Sequence, residues 1–565
     1  MADLLINNFQ KKVNKTYLQE FSKMKNVDCD TVSGVAMVNY KLESDNASYS
    51  SYTFTATADS DRLTTSAIHG YSGLVAVTVS TTGTLPAGLS AGTVYYVIPE
   101  LSNTLKLADS ISNCISATPI DITDEGTGTH TITPVTMGAV QKIVDSKGSS
   151  SYFNLFAIDD NGVIWVKYID GTWTVISGNT NTNAREIVIW KDYLFVMGTT
   201  KISVYGKLSL ISSGSASWTN DWATFSQTIS SDRPAIVGQD DMVYIGDGKV
   251  VASIMENTSQ TFNPASGATY TFNNAAVDLP DNYQITCLEE LGNYLAIGTK
   301  YGYNYGAGNV ADIFPWDRVS TTFEMPVRLK TCGVRSLINI NNVLYAIAGL
   351  KGDIYATDLT SSRWLARISA QQVDLQQEQL QIYTFRNAVA QFNNKLLFGA
   401  TTSMSGSLVG IFSYNIETGG ISMDYTISSS NDAKNIFSLY VSSDNVFYAG
   451  WEDETTNGID KLSQTHRYST SEIITGLYKT GTNRRRRVFK HWEIALAKSL
   501  ETGNSVALYY RQKLNENFTL IGTMSEGLSQ IFDRSIETES IQVKIVMTTS
   551  TLTNYTPELI SVKLI

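Results

Sequence analysis

Along most of the chain, aliphatic and aromatic residues alternate with polar ones in short runs broken by Asn, Asp and Gly, as in "DDMVYIGDGKV", "NNVLYAIAGLKGDIYATD" and "GNYLAIGTKYGYNYG". A period of two places one face of a strand in a core, and the punctuating residues are those of tight hairpin turns. Aligned on the central aliphatic residue of the second strand, the hairpins recur at Leu194, Val243, Leu295, Leu344, Leu396 and Val446, with spacings of 49, 52, 49, 52 and 50 residues. A less regular copy precedes them at 151–173. A repeat near 50 residues with several strands per unit predicts an all-β chain built around a β-propeller, whose blades each cover the face of the next. Counting copies predicts seven blades, or six with an extra hairpin. The stretch "GVAMVNYKLES", residues 34–44, is the expected closing strand.

A small residue follows the second strand at nearly constant phase: Gly198, Gly246, Gly298, Ala348, Gly399 and Gly450. Glycine there permits a positive φ or close approach of a neighbouring backbone. Two segments break the repeat. Residues 53–134 are rich in Thr, Ser, Gly and Val and read as a small separate β domain inserted before the first blade. From residue 466 to 565 six alternating strands follow at shorter spacing, which predicts a C-terminal β-sandwich. The expected division is therefore 1–52 as an N-terminal segment with the closing strand, 53–134 as the insert, 135–465 as the propeller and 466–565 as the sandwich. Helix is expected only near residues 13–25 and in the Gln-rich "SAQQVDLQQEQLQIY".

Composition narrows the function classes. The chain has 565 residues, 17% of them charged, with a net charge of −11 spread along its length. That balance argues against a protein held to nucleic acid by phosphate contacts. Cys29, Cys114, Cys287 and Cys332 show no metal-ligand spacing and read as free thiols of a reducing compartment. The start "MADLLINNFQKK" lacks the apolar core of a signal peptide, and no run of about 18 apolar residues could span a membrane. Synthesis in the cytoplasm is the expectation.

Candidate chemistry is sparse. A glycosidase of the propeller class needs paired carboxylates, or arginines that clamp a substrate carboxylate around a nucleophile. Arg185, Arg233, Arg318, Arg328 and Arg335 read as lying at different phases of the repeat, and the Asp-Gly turns in "DDNGVIW" and "YIDGTW" read as hairpin turns. His69, His130, His466 and His491 are scattered without ligand spacing, and the acidic "DLPDNY" and "WEDETTNGID" read as solvated loops. No catalytic residue, metal or cofactor is assigned. The one dense basic run, Arg484, Arg485, Arg486 and Arg487, opens a strand. It would either guard a sheet edge or dock an acidic neighbouring subunit.

The insert sequence "TTGTLPAGLSAGTVYYVIPELSNTLKLADSISNCISATPIDITDEGTGTHTIT" resembles a small β module that recurs in structural proteins of tailed bacteriophages. The flanking "NVDCDTVSGVAMVNYKL", the blades with "VYIGDGKVVASI", and the ending "YTPELISVKLI" resemble phage tail proteins built from a propeller and a terminal sandwich. The resemblance implies a non-enzymatic structural component of a virion tail, nozzle-like or hub-like by analogy, with other virion subunits as partners and a homo-oligomeric ring as assembly. A receptor- or glycan-binding module, meeting a host surface glycan, is the alternative, and a propeller glycosidase a third reading.

Overall fold

The alternating runs form strands because each buries one side chain in two against a neighbouring sheet, and the Asn and Gly pairs between them adopt the left-handed turns that hairpins need. Asn341–Asn342 and Asn393–Asn394 both have positive φ at such turns. The computed structural model describes residues 4–6, 21–30, 35–146, 148, 151–227, 233–257, 261–302, 310–368, 382–402, 409–479, 486–550 and 555–565. Within them the chain is almost wholly β, and seven four-stranded blades form a propeller. Their innermost strands are Val140–Asp145, Glu186–Trp190, Ala235–Val237, Tyr283–Leu291, Val334–Ile340, Val389–Phe392 and Asn435–Val441. Every pairing within the blades is antiparallel, and the seventh blade takes its outer strand from the N-terminal region. Tyr40–Ser44 pairs with Asn457–Arg467 in the register Leu42 to Leu462.

The phased glycines mark where blades touch. A β-carbon on Gly298 would lie 2.5 Å from Cys287 Sγ and 3.0 Å from Val334 of the next blade's innermost strand. At Gly246 it would meet Ile285 at 2.7 Å, at Gly399 Ile436 at 2.6 Å, and at Gly450 the Val140 carbonyl oxygen at 2.7 Å. None of these four has a positive φ. Close approach, not turn geometry, is what selects the residue. Gly450 is the contact between the last blade and the first.

The closing strand runs directly into the insert. Strands between Tyr52 and Pro134 form a closed six-stranded barrel, filled by Phe54, Leu63, Val77, Val97, Leu105 and Ile132. The barrel is not detached from the wheel. Tyr96, Ile111 and Cys114 share one core with Trp165 and Val175 of the first blade and Leu208 and Ile211 of the second. The Tyr96 hydroxyl donates to the Val175 carbonyl at 2.9 Å.

The sandwich uses both ends of the chain. One sheet orders Leu4–Ile6, Leu559–Leu564, Arg487–Leu496 and Ser529–Thr538; the facing one contains Phe21–Lys25, Thr470–Thr475, Ser540–Thr548, Ser505–Arg511 and Thr519–Met524. Ile6 and Met24 join Trp492, Ile494, Leu508, Ile545 and Val562 in its core. Residues 21–25, in the stretch expected to carry a helical turn, are therefore strand. The pairing of Phe21–Lys25 with Thr470–Thr475 overrides a weak local preference. The Gln-rich stretch and residues 13–20 lie outside the described residues, apart from its final Ile382–Tyr383, which is strand. Lys25 also pairs in parallel with Met423, the outer strand of the sixth blade, so one hydrogen-bonded sheet runs from propeller into sandwich. At the same junction the Tyr468 hydroxyl accepts from Thr426 N at 2.9 Å and donates to its carbonyl at 2.6 Å.

Two expectations follow. Gly298→Val should destabilise by about 1–3 kcal/mol through overpacking of the next blade, whereas Gly267→Ala, whose β-carbon would meet nothing within 4 Å, should change the melting temperature little. Differential scanning calorimetry of the two variants checks the contrast. Deleting 53–134 would uncover Val175, Leu208 and Ile211, each worth about 1.5–3 kcal/mol when buried. The deletion protein should melt several degrees lower and bind a hydrophobic dye that the full chain does not.

Candidate functional site

In a propeller the innermost strands line a central channel, and the residues that begin them form the rim of one mouth. Arg185 stands nine residues before Leu194, Thr286 nine before Leu295, Arg335 nine before Leu344 and Phe437 nine before Val446. Arg386 stands ten before Leu396. The structure gathers all five, with Gln141, Thr384, Phe385 and Asn387, around a cavity of about 180 Å³. Arg185 and Arg335 were expected at different phases of the repeat; they occupy equivalent ones, which is why they share a rim. Arg386 was not singled out, although "TFRNAVAQF" places it before an innermost strand as "AREIVIW" places Arg185.

Below this rim the channel widens into a cavity of about 240 Å³. The buried Glu186 carboxylate is held there by Lys142, by Arg386 Nη2 at 2.6 Å and Nε at 2.8 Å, and by the Asn387 amide at 3.3 Å. Asn387 also donates to the Gln141 carbonyl at 3.0 Å, linking the sixth blade to the first. A carboxylate with this many donors is a structural anchor. Glu289, from the fourth blade, is half-buried in the same cavity. Desolvation by the channel walls, with the Glu290 carboxylate adding to it, pushes its carboxyl up to about 7.

A larger recess, about 740 Å³, lies between the barrel and the first and seventh blades, with Tyr49, Ser72, Trp173, Ser428, Thr456 and Lys461 on its walls. At its base Asp45, the residue after the closing strand, accepts from Lys167 at 2.6 Å, from Trp173 Nε1 at 2.9 Å and from Lys461 at 3.0 Å. Burial pulls the Lys167 ammonium below its usual range, and Asp45 opposes that shift. This cluster pins the closing strand to both blades that it joins.

The remaining sequence candidates resolve into structural roles. Arg233 is fully buried against Asp247 at 2.8 Å with Phe225 stacked on it, Arg328 makes two 2.9 Å bonds to Asp312, and Arg318 pairs with Glu290. Asp159 of "DDNGVIW" accepts from the Trp165 indole at 3.0 Å and from the backbone of Gly138, Asn161 and Val163, which staples the turn. In "WEDETTNGID", Asp453 is held well below the usual carboxylate range: burial opposes this, but Ser429 and the Thr455 and Thr456 amides outweigh it. In "DLPDNY", Asp278 and Asp281 pair with Lys249. Among the described residues no cluster of His, Cys, Asp and Glu suits a metal ion.

His69 and His130 are buried in the barrel, where Nε2 of each meets a carbonyl at 3.1 Å, of Leu101 and Glu125 respectively. His466 and His491 sit beside Glu43 and Asp533. All four cysteines are buried. Of the basic run, Arg484 and Arg485 lie outside the described residues. Arg487 begins a sandwich strand and rests 5.1 Å over the Phe489 ring. Arg486 reaches Glu539 at 3.9 Å, with both side chains about 60% exposed.

No protein-family model and no curated protein matches the sequence. Solved structures that resemble it are propellers. The RRP9 WD40 repeats align over 57% of this chain and 94% of theirs, at 14% identity and a TM-score of 0.40. The Dos1 propeller aligns over 58% and 93%, at 10% identity and 0.38, and the exo-beta-1,3-galactanase of Phanerochaete chrysosporium over 60% and 97%, at 8% identity and 0.27. The likeness is one of fold.

The raised Glu289 carboxyl gives a pH test. Between the usual value of 4.5 and about 7 the folded chain holds a proton that the unfolded chain has released. Its contribution to stability is therefore full below 4.5 and is lost as pH rises through 7. Urea midpoints of Glu289→Gln should vary less across that window than those of the natural chain.

Proposed function

We propose that this chain is a non-enzymatic structural component of a tailed-bacteriophage virion, a multicopy tail protein of nozzle or hub type that assembles as a homo-oligomeric ring. The observation that carries the reading is the fusion of three β bodies into one unit. The closing strand leads into a barrel that shares a core with two blades, and the sheet of the sixth blade continues into the sandwich. A wheel welded in this way holds its binding surfaces at fixed angles, as subunits related by a rotation axis require. The resemblance of the insert to phage modules supports the same conclusion.

The state of the channel also favours a scaffold over a glycosidase. Glu186 is already bound by Lys142, Arg386 and Asn387, so it is not poised as a nucleophile or base. The basic run Arg484, Arg485, Arg486 and Arg487 supplies a candidate subunit contact. An exposed pair such as Arg486 with Glu539 is worth about 0–1 kcal/mol. Exchange of Glu539 for a carboxylate on a neighbouring subunit therefore costs little.

Immunogold electron microscopy of purified virions, with antibody against residues 466–565, tests the reading. Gold at the tail is the expected result. Gold on the capsid would move the protein to the head, and its absence from both intact and disrupted particles would overturn the virion assignment. In the purified protein, Arg486→Glu should weaken ring assembly in analytical ultracentrifugation while leaving the melting temperature unchanged.

A further inference from the structure

Residues 44–49, which lead from the closing strand into the barrel, and 134–137, which lead from the barrel to the first blade, both run along the recess of about 740 Å³ beside the seventh blade. Ligand pockets span about 300–1,000 Å³, so the recess is of a size to hold a small molecule. Its charged lining residues are Asp45, Asp170 and Lys461. Asp45 is taken up by Lys167, Lys461 and the Trp173 indole, and one Asp170 oxygen holds the Thr172 amide at 2.8 Å. With its lysine paired and a second carboxylate present, the recess does not favour an anion.

The seventh-blade wall is an array of hydroxyl groups whose protons are already committed. Ser429 donates to Asp453 Oδ2 at 2.6 Å, and Thr455 and Thr456 donate to its Oδ1 and Oδ2 at 3.0 Å each. Ser428 donates to Asp460 Oδ1 at 2.6 Å. Asp453 is held below the usual carboxylate range, and an ionised carboxylate only accepts, which fixes the direction of its bonds. A hydroxyl has one proton and two acceptor sites. Asn431 fills one such site on Ser429 and one on Thr455, at 3.1 and 3.3 Å. Among the described residues nothing donates to the hydroxyl oxygens of Ser428 and Thr456, and both residues are exposed. The wall therefore presents acceptors in fixed positions, and the ligand that complements it is rich in hydroxyl donors.

Tyr49 adds an apolar surface. Half-buried, it packs against the barrel core and lines the recess. Tyr71 meets its ring edge-on at 5.6 Å, and its hydroxyl donates to Ser72 at 3.3 Å, so the ring is held in place. An aromatic face braced in this way packs against the C–H face of a sugar ring. Hydroxyl acceptors, a paired lysine and an aromatic platform together match a neutral polyol with an apolar face. We infer that the recess between barrel and seventh blade binds a neutral oligosaccharide, whose hydroxyls donate to Ser428, Thr456 and Asp170 and one of whose rings rests on Tyr49. The inference stands independently of where the chain is placed in a virion.

Saturation-transfer NMR of the full chain tests it with maltotriose, cellotriose and tri-N-acetylchitotriose as neutral probes and glucuronate as an anionic one. At least one neutral probe should bind saturably, and glucuronate more weakly or not at all. Tyr49→Ala should weaken binding several-fold. Thr456→Val should do the same, and Thr456→Ser, which keeps the hydroxyl, should restore it. Hydrogen exchange locates the ligand without any substitution: the bound sugar should slow the amides of 44–49 and 455–457. Failure of all three neutral probes to bind would overturn the proposal. So would glucuronate binding as tightly as any of them, unchanged affinity in both Tyr49→Ala and Thr456→Val, or unchanged exchange in both segments with the sugar bound.

Discussion

Everything in this molecule depends on how closely one blade can approach the next. At Gly246, Gly298, Gly399 and Gly450 the missing side chain is the space into which the following innermost strand settles. Across Gly450 the last blade meets Val140 of the first, so the same close contact that spaces the blades also closes the ring. The closing strand then fastens the joint with backbone hydrogen bonds, and Asp45 fixes its end to Lys167 and Trp173 on one side and Lys461 on the other. A ring closed by contacts between distant parts of the chain has few independent pieces.

That closure explains where the other two bodies sit. The barrel is inserted at the seam between the seventh and first blades and covers apolar surface on the first two. The N-terminal strands pass through the sandwich before reaching the seam, and Phe21–Lys25 joins blade six to the sandwich along the way. The arginine rim of the channel is a further product of the closure. Arg185, Arg335 and Arg386 are far apart in sequence and converge because each lies at or just before the start of an innermost strand.

Much of the architecture was legible because propeller blades repeat their pattern locally. The spacing from Leu194 to Val446 and the glycine phase follow from hydrophobic alternation and turn residues that act over a few positions. The sandwich strands at 4–6 and 21–25 were not legible, because their pairing is decided by partners hundreds of residues away. The rim was partly legible. The repeat contains its register, but the arginines had to be counted from the second strand of each hairpin before Arg185 and Arg335 fell into step, and Arg386 is one residue out of phase.

The central claim is that propeller, barrel and sandwich form one mechanically continuous unit through the N-terminal strands. Hydrogen exchange of the full chain, followed peptide by peptide, addresses it most directly. The account expects the amides of Phe21–Lys25 and Tyr40–Ser44 to exchange as slowly as those of Tyr294–Tyr301 in the fourth blade. Rapid exchange of both N-terminal strands while the fourth blade stays protected would mean that the ring is open at its seam and the sandwich only tethered.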